Sequence, residues 1–146
     1  MLKPIAIATA VSGALDILFA MILTLWFGRQ IPNMLRYVAS GPFPPATQWG
    51  AGGAVLGLAV HFTLMGIMAA AFVFAARRYP DMLDNPVKWG LIYALITYVV
   101  MNLVVVPLRF AAPLPPKPLS IATQMFAHIF LVGLPMAFIA RRYLRS

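Results

Sequence analysis

Four long apolar runs divide the chain, and short polar segments separate them. The runs extend from about Ile5 to Phe27, Gly53 to Ala76, Trp89 to Leu108 and Leu119 to Ala140. Each is close to the ~20 residues that a helix needs to cross a bilayer. Runs this long favour helices over buried strands, and open strands in lipid would leave backbone groups unpaired. The pattern predicts an all-α integral membrane four-helix bundle, a single transmembrane domain over residues 1–146.

The one long connection, Gly28 to Gly52, contains a further helical pattern. Its apolar residues recur at helical spacing: Ile31, Met34, Leu35 and Val38. Pro32 suits the first turn of a helix, and the Gly41–Pro45 segment is typical of a helix end. The pattern predicts a short amphipathic helix that lies at the outer membrane interface.

Composition supports a lipid environment. Hydrophobic residues make up 62% of the chain and charged residues only 10%, whereas soluble domains carry about 25% charged residues. The absence of cysteine excludes disulfides, thiolate catalysis and iron–sulfur clusters. Asp16 lies in the middle of the first run, and no A-x-A site closes that run. The first run is therefore expected to be a retained helix and not a cleaved signal peptide.

The net charge of +8 is explained by topology. The basic residues flank the apolar runs, and no basic run with interleaved aromatic residues is present to bind nucleic acid. Seven lysines and arginines lie on the side of the two termini and four on the other side. Because the more basic side usually faces the cytoplasm, both termini are predicted to be cytoplasmic.

Ionisable side chains occur inside the predicted spans, where they are costly and often functional. Asp16, His61, Asn102 and His128 come one from each run, at roughly 20–24 Å from the basic flanks at 1.5 Å per residue. These residues are therefore expected to form one polar layer near the membrane midplane. Tyr98 and Gln124 lie one turn before Asn102 and His128, respectively, and are included in this candidate site.

The polar layer has several interpretations. Asp16 could bind a proton that His61 and His128 pass on, with Asn102 and Tyr98 orienting a small ligand or ion. Alternatively, the side chains pair only with each other and define the packing. His61 and His128 could also be axial ligands of haem b in an electron-transfer or accessory subunit. A divalent metal held by both histidines and Asp16 is a further alternative.

Enzymatic chemistry is not favoured by the sequence. No nucleophile has a base beside it, and Walker A, glycine-rich dinucleotide and G-x-S-x-G motifs are absent. The same composition is also compatible with a protein that is a structural partner of a larger membrane complex, or that forms a homo-oligomer. The lipid bilayer is the one partner that the apolar runs directly predict.

Several segments carry a resemblance to a known family. They read GALDIL (residues 13–18), AVLGLAVHF (54–62), WGLIYA (89–94), VMNLVVVPL (100–108) and HIFLVGLP (128–135). With these segments the chain resembles a family of uncharacterised bacterial inner-membrane proteins of about this length. The resemblance covers nearly the whole chain and implies a four-helix protein of the bacterial inner membrane. It implies no activity, ligand or partner.

Overall fold

The structure, a computed structural model, describes residues 1–146 and contains helices but no strands. Four helices are long and apolar enough to cross a membrane, which confirms the predicted all-α class and the predicted number of long apolar helices. In chain order the helices are α1 (Leu2–Trp26), α2 (Ile31–Ala39), α3 (Gly50–Arg78), α4 (Asp81–Asp84), α5 (Pro86–Phe110) and α6 (Pro118–Leu144). A single 3₁₀ segment, Pro44–Gln48, precedes α3.

Each of the four long helices is longer than its predicted run. Helix α3 begins three residues before its apolar run and continues through Arg77 and Arg78, and α6 continues to Leu144. The apolar pattern stops at the first charged residue, whereas backbone hydrogen bonding continues into the basic flank. Basic residues in the last turn also interact favourably with the negative end of the helix dipole.

Helix α3 buries a narrow stripe of residues, spaced mostly by four. The stripe comprises Gly53, Gly57, His61, Met65, Ala69, Phe72, Val73 and Ala76. Residues four apart stack on one face of a helix, and the large residues between them, such as Val55 and Ile67, are exposed. Exposed apolar side chains of this kind are compatible with a lipid environment. His61 lies in the middle of the buried stripe.

Glycines bring the spanning helices close together at two crossings. A Cβ on Gly13 of α1 would lie 2.6 Å from the Phe62 ring of α3. A Cβ on Gly90 of α5 would lie 2.9 Å from the Leu134 side chain of α6, and Gly133 lies against the Gly90 backbone. Small residues at such crossings are the usual means of packing helices in membranes.

Helices α5 and α6 each contain a π-helical segment, Val99–Val105 and Ala127–Gly133. Each segment ends two residues before a proline, Pro107 or Pro135. A proline in a helix donates no N–H and its ring clashes with the carbonyl four residues earlier. That carbonyl lies within the widened segment in both helices, so the wider turns relieve the clash.

Helix α2 occupies the predicted range and packs against the bundle. Its residues Leu35 and Ala39 are buried, and the backbone of Leu35 lies directly against Gly57 of α3. Arg109 of α5 donates hydrogen bonds to the carbonyl oxygens of Ser40 (2.7 Å) and Gly41 (2.6 Å) just after α2. The predicted amphipathic face therefore contacts α3, while the position of α2 in a membrane interface stays a prediction.

Both termini lie at the same end of the bundle. Met1 and Arg145 line one cavity, and the ammonium group of Lys3 lies 5.3 Å from the centre of the Tyr143 ring. Four long helices that run alternately up and down the bundle return the chain to the end where it began. We call this the terminal end, and the opposite end, which carries α2, the α2 end.

Candidate intramembrane polar site

His61 is anchored through one ring nitrogen to the backbone of α1. Its Nε2 lies 2.9 Å from the carbonyl oxygen of Gly13. A carbonyl oxygen only accepts hydrogen bonds, so Nε2 carries a proton and donates it. The absence of a side chain at Gly13 permits this approach, since a Cβ there would collide with the adjacent Phe62 ring. The whole residue His61 is 8% exposed, and its ring contacts Phe62 edge to face.

The second nitrogen of His61 faces a carboxyl group. Nδ1 lies 4.0 Å from Oδ2 of Asp16 on α1. Because Nε2 already holds a proton, a neutral His61 presents the lone pair of Nδ1 to Asp16. An ionised Asp16 would then face a lone pair with no hydrogen between them. A further proton on Asp16 or on Nδ1 would supply the hydrogen that this contact lacks.

His128 has partners for both ring nitrogens. Nδ1 lies 2.9 Å from Oγ1 of Thr97, and the Asn102 amide nitrogen lies 3.2 Å from Nε2. The Thr97 hydroxyl donates to the carbonyl of Ala94 at 3.1 Å and therefore accepts from Nδ1. Asn102 donates to Nε2. These bonds together describe a neutral imidazole with both nitrogens satisfied and no proton missing.

Tyr98 completes the surroundings of His128 without a hydrogen bond to it. The two rings lie edge to face with their centres 5.9 Å apart, and Tyr98 is 5% exposed. Aromatic pairs with this geometry contribute packing energy beyond their buried area. In this position Tyr98 holds the imidazole of His128 in place, and the structure brings it together with Asn102 and His128 as one group.

The predicted single layer is divided into two groups. Asp16 and His61 meet between α1 and α3, whereas Asn102, Tyr98 and His128 meet between α5 and α6. No hydrogen bond or ion pair joins the groups, and the two histidines and Asp16 do not come together as a metal-binding cluster. Depth along a helix can be counted from the sequence, but the direction in which a side chain points depends on how helices pack.

Gln124 belongs to neither group. It lines a cavity of about 560 Å³ at the α2 end, together with Thr24, Arg29 and Lys117. Its predicted proximity to His128 assumed a regular α-helix, in which residues four apart share a face. The π-helical segment begins at Ala127, between the two residues, and widens the turn.

Two participants were not predicted from the sequence. Thr97 is an acceptor for His128, and the Gly13 carbonyl is the acceptor for His61. Thr97 was detectable as a polar residue beside Tyr98. A backbone carbonyl has no counterpart in a residue pattern, so the role of Gly13 depends entirely on the helix crossing.

The arrangement does not fit an iron bound between the two histidines. An axial ligand requires a free ring nitrogen lone pair directed at the metal. Three of the four ring nitrogens are hydrogen bonded, and the fourth faces Asp16. None of the five principal cavities is lined by His61 or His128.

Comparisons with protein-family models, with curated proteins and with solved structures found no match.

Proposed function

We propose that Asp16 and His61 form a proton-binding site within a four-span protein of the bacterial inner membrane. In this proposal the pair takes up and releases one proton as the protein handles a proton, an ion or a small ligand. The observation that carries the proposal is the hydrogen bond from His61 Nε2 to the Gly13 carbonyl, at 2.9 Å. This bond assigns the first proton of the ring, so the face toward Asp16 is where a second proton is gained or lost.

The chemistry of the two side chains suits this role. Imidazole is the side chain whose charge changes most readily near neutral pH. A carboxyl group 4.0 Å away attracts the same proton, and proton relays in membrane proteins use combinations of aspartate and histidine. The side chain of Asp16 is 25% exposed and that of His61 is 10% exposed, so Asp16 is the less enclosed member of the pair.

The surroundings of His128 differ from those of His61, and the comparison favours His61 as the proton-binding residue. His128 is surrounded by neutral groups that satisfy both of its nitrogens. His61 instead faces a carboxyl group beyond the 2.7–3.2 Å that is typical of a hydrogen bond. Two histidines in one membrane domain thus have different surroundings. Only His61 has a carboxyl group near a ring nitrogen that could share an additional proton.

The membrane orientation belongs to the same proposal. Seven of the basic residues lie at the terminal end and four at the α2 end, which favours cytoplasmic termini. The resemblance of the sequence to bacterial inner-membrane proteins supports that membrane.

Nitrogen-15 NMR of the imidazole rings tests the proton assignment directly. The chain has only two histidines, so His61→Gln and His128→Gln assign both sets of signals. We expect Nε2 of His61 to stay protonated because it donates to the Gly13 carbonyl, and the Nδ1 signal to report any gain or loss of the second proton. Asp16→Asn should alter that change, and Asp81→Asn, which removes an exposed carboxylate, should leave it as in the wild type.

Proton flux into liposomes tests the consequence for function. Wild-type protein should dissipate an imposed pH gradient faster than empty liposomes, and Asp81→Asn should do the same. Asp16→Asn and His61→Gln should return the rate to that of empty liposomes. An unchanged rate in Asp16→Asn, or an Nδ1 signal of His61 that is constant over the whole pH range, would show that the pair is only structural.

A further inference from the structure

A groove opens at the α2 end between the last turns of α1, helix α2 and the beginning of α6. It consists of two adjoining cavities of about 560 and 670 Å³ that share the residues Thr24, Arg29 and Met34. The first cavity extends to Lys117 and Gln124, and the second extends along α2 to Asn33. We call this the Arg29 groove.

The Arg29 groove contains two cationic side chains without protein partners. Four basic residues lie at the α2 end, and two of them are engaged with the backbone. Arg36 donates to the carbonyl of Gly50, and Arg109 donates to two carbonyls after α2. Arg29 and Lys117 make no side-chain hydrogen bond or ion pair, and both line the groove. None of the three aspartates of the chain lies there.

The backbone at the start of α6 adds to the positive character. Leu119 and Ser120 line the groove and belong to the first turn of α6, which begins at Pro118. The N–H groups of a first turn have no acceptor within the helix and favour an anion. The two cations and this helix end therefore favour the same sign of charge in one cavity.

The other wall of the groove is apolar and continues along a spanning helix. Ala20, Leu23 and Phe27 of α1 line the same cavity as Arg29 and Lys117. Ala20 lies six residues before Trp26, where α1 ends, so the apolar wall extends about 9 Å from the helix end toward the membrane interior. A small hydrophilic anion would leave this wall uncovered, whereas a phospholipid would cover it with an acyl chain.

We propose that the Arg29 groove binds an anionic phospholipid. The phosphate lies between Arg29 and Lys117, and the acyl chain follows Ala20 and Leu23 toward the membrane interior. Basic residues near a membrane surface attract anionic lipids by an amount that corresponds to about fivefold in affinity for each residue. Loss of both cations should therefore weaken binding roughly 25-fold. The site is independent of the proton pair and requires no particular outcome for Asp16 or His61.

Lipid retention by the purified protein tests this site. The protein in detergent is titrated with dioleoyl phosphatidylglycerol or dioleoyl phosphatidylcholine, and bound lipid is counted by native mass spectrometry. Wild type should retain one phosphatidylglycerol in preference to phosphatidylcholine. Arg29→Gln and Lys117→Gln should each reduce retention about fivefold, and the double variant roughly 25-fold. Lys88→Gln removes one charge at the terminal end and should bind as wild type does.

A charge-preserving double variant, Arg29→Lys with Lys117→Arg, controls for folding and should retain the lipid. Circular dichroism of every variant confirms that the helices are present. Equal retention in wild type and in the double glutamine variant would overturn the proposal, as would an equal loss in Lys88→Gln. A third arm adds inorganic phosphate at the concentration of the lipid. Displacement of phosphatidylglycerol by phosphate would assign the groove to a free anion and overturn the lipid assignment.

Discussion

Replacement of Gly13 by alanine tests the crossing on which the proton pair depends. The added Cβ would lie 2.6 and 2.7 Å from two carbon atoms of the Phe62 ring. Carbon atoms in favourable contact are about 3.5–4.0 Å apart, so α1 or the ring has to move by about 1 Å. The ring is not free to turn without cost, because it contacts His61 edge to face with centres 5.2 Å apart.

The magnitude follows from two opposing effects. Insertion of a methyl group into a packed site typically costs about 1–3 kcal/mol. Alanine in place of glycine also favours the helix, by up to about 1 kcal/mol. Gly66→Ala is a matched control because a Cβ there would lie 3.7 Å from the nearest atom of Thr9, an ordinary contact in the same α1–α3 interface. Both variants gain the higher helix propensity of alanine. The difference between their free energies of unfolding therefore measures the cost of the collision with Phe62.

We therefore expect Gly13→Ala to be less stable than Gly66→Ala by about 1–3 kcal/mol. Unfolding in detergent by increasing sodium dodecyl sulfate, followed by circular dichroism, measures the free energies. A second change, Phe62→Leu, should return most of the stability of Gly13→Ala, since neighbouring sites are coupled. If Gly13→Ala is as stable as Gly66→Ala, the two helices are not in the close contact described, and the Gly13–His61 hydrogen bond loses its basis.

Three further predictions use the same unfolding assay. Thr97→Val removes the acceptor of the buried α6 histidine and should cost about 0.6–1.7 kcal/mol, whereas Thr63→Val, whose hydroxyl bonds only to its own helix, should cost less. Ser12→Ala deletes a buried hydroxyl without a partner and should leave stability unchanged or raise it by about 1–3 kcal/mol; a clear loss would reveal a hidden partner. Asp84→Asn removes an ion pair with Arg145 that is about half exposed and should cost under about 1 kcal/mol, less at high salt.

The lengths and positions of the helices followed from local properties of the chain. A run of apolar residues long enough to cross a bilayer has few alternatives to a helix, because lipid offers no partners for a free backbone. The prediction of helix α2 also depended only on local sequence, since the proline at its start and the spacing of its apolar residues lie within nine residues. The helix ends were less well predicted because basic residues continue a helix as readily as apolar ones.

The tertiary structure determines which polar residues lie together in each group. Counting residues placed Asp16, His61, Asn102 and His128 at similar depths, and that count takes no account of the direction of each side chain. The glycine crossings determine which helix pairs approach closely, and the wider turns of α5 and α6 change the faces on which their residues lie. The same polar residues could have met as one layer in a differently packed bundle.

The sequence by itself therefore determined that this protein has four helices suited to lipid and that costly polar groups lie within them. Only the tertiary structure decided that Asp16 meets His61 and that a backbone carbonyl holds the other side of the ring. The physical reason is that burial in lipid depends on residue type and run length, both readable along the chain. A hydrogen bond depends instead on distances of a few tenths of an ångström between helices far apart in sequence.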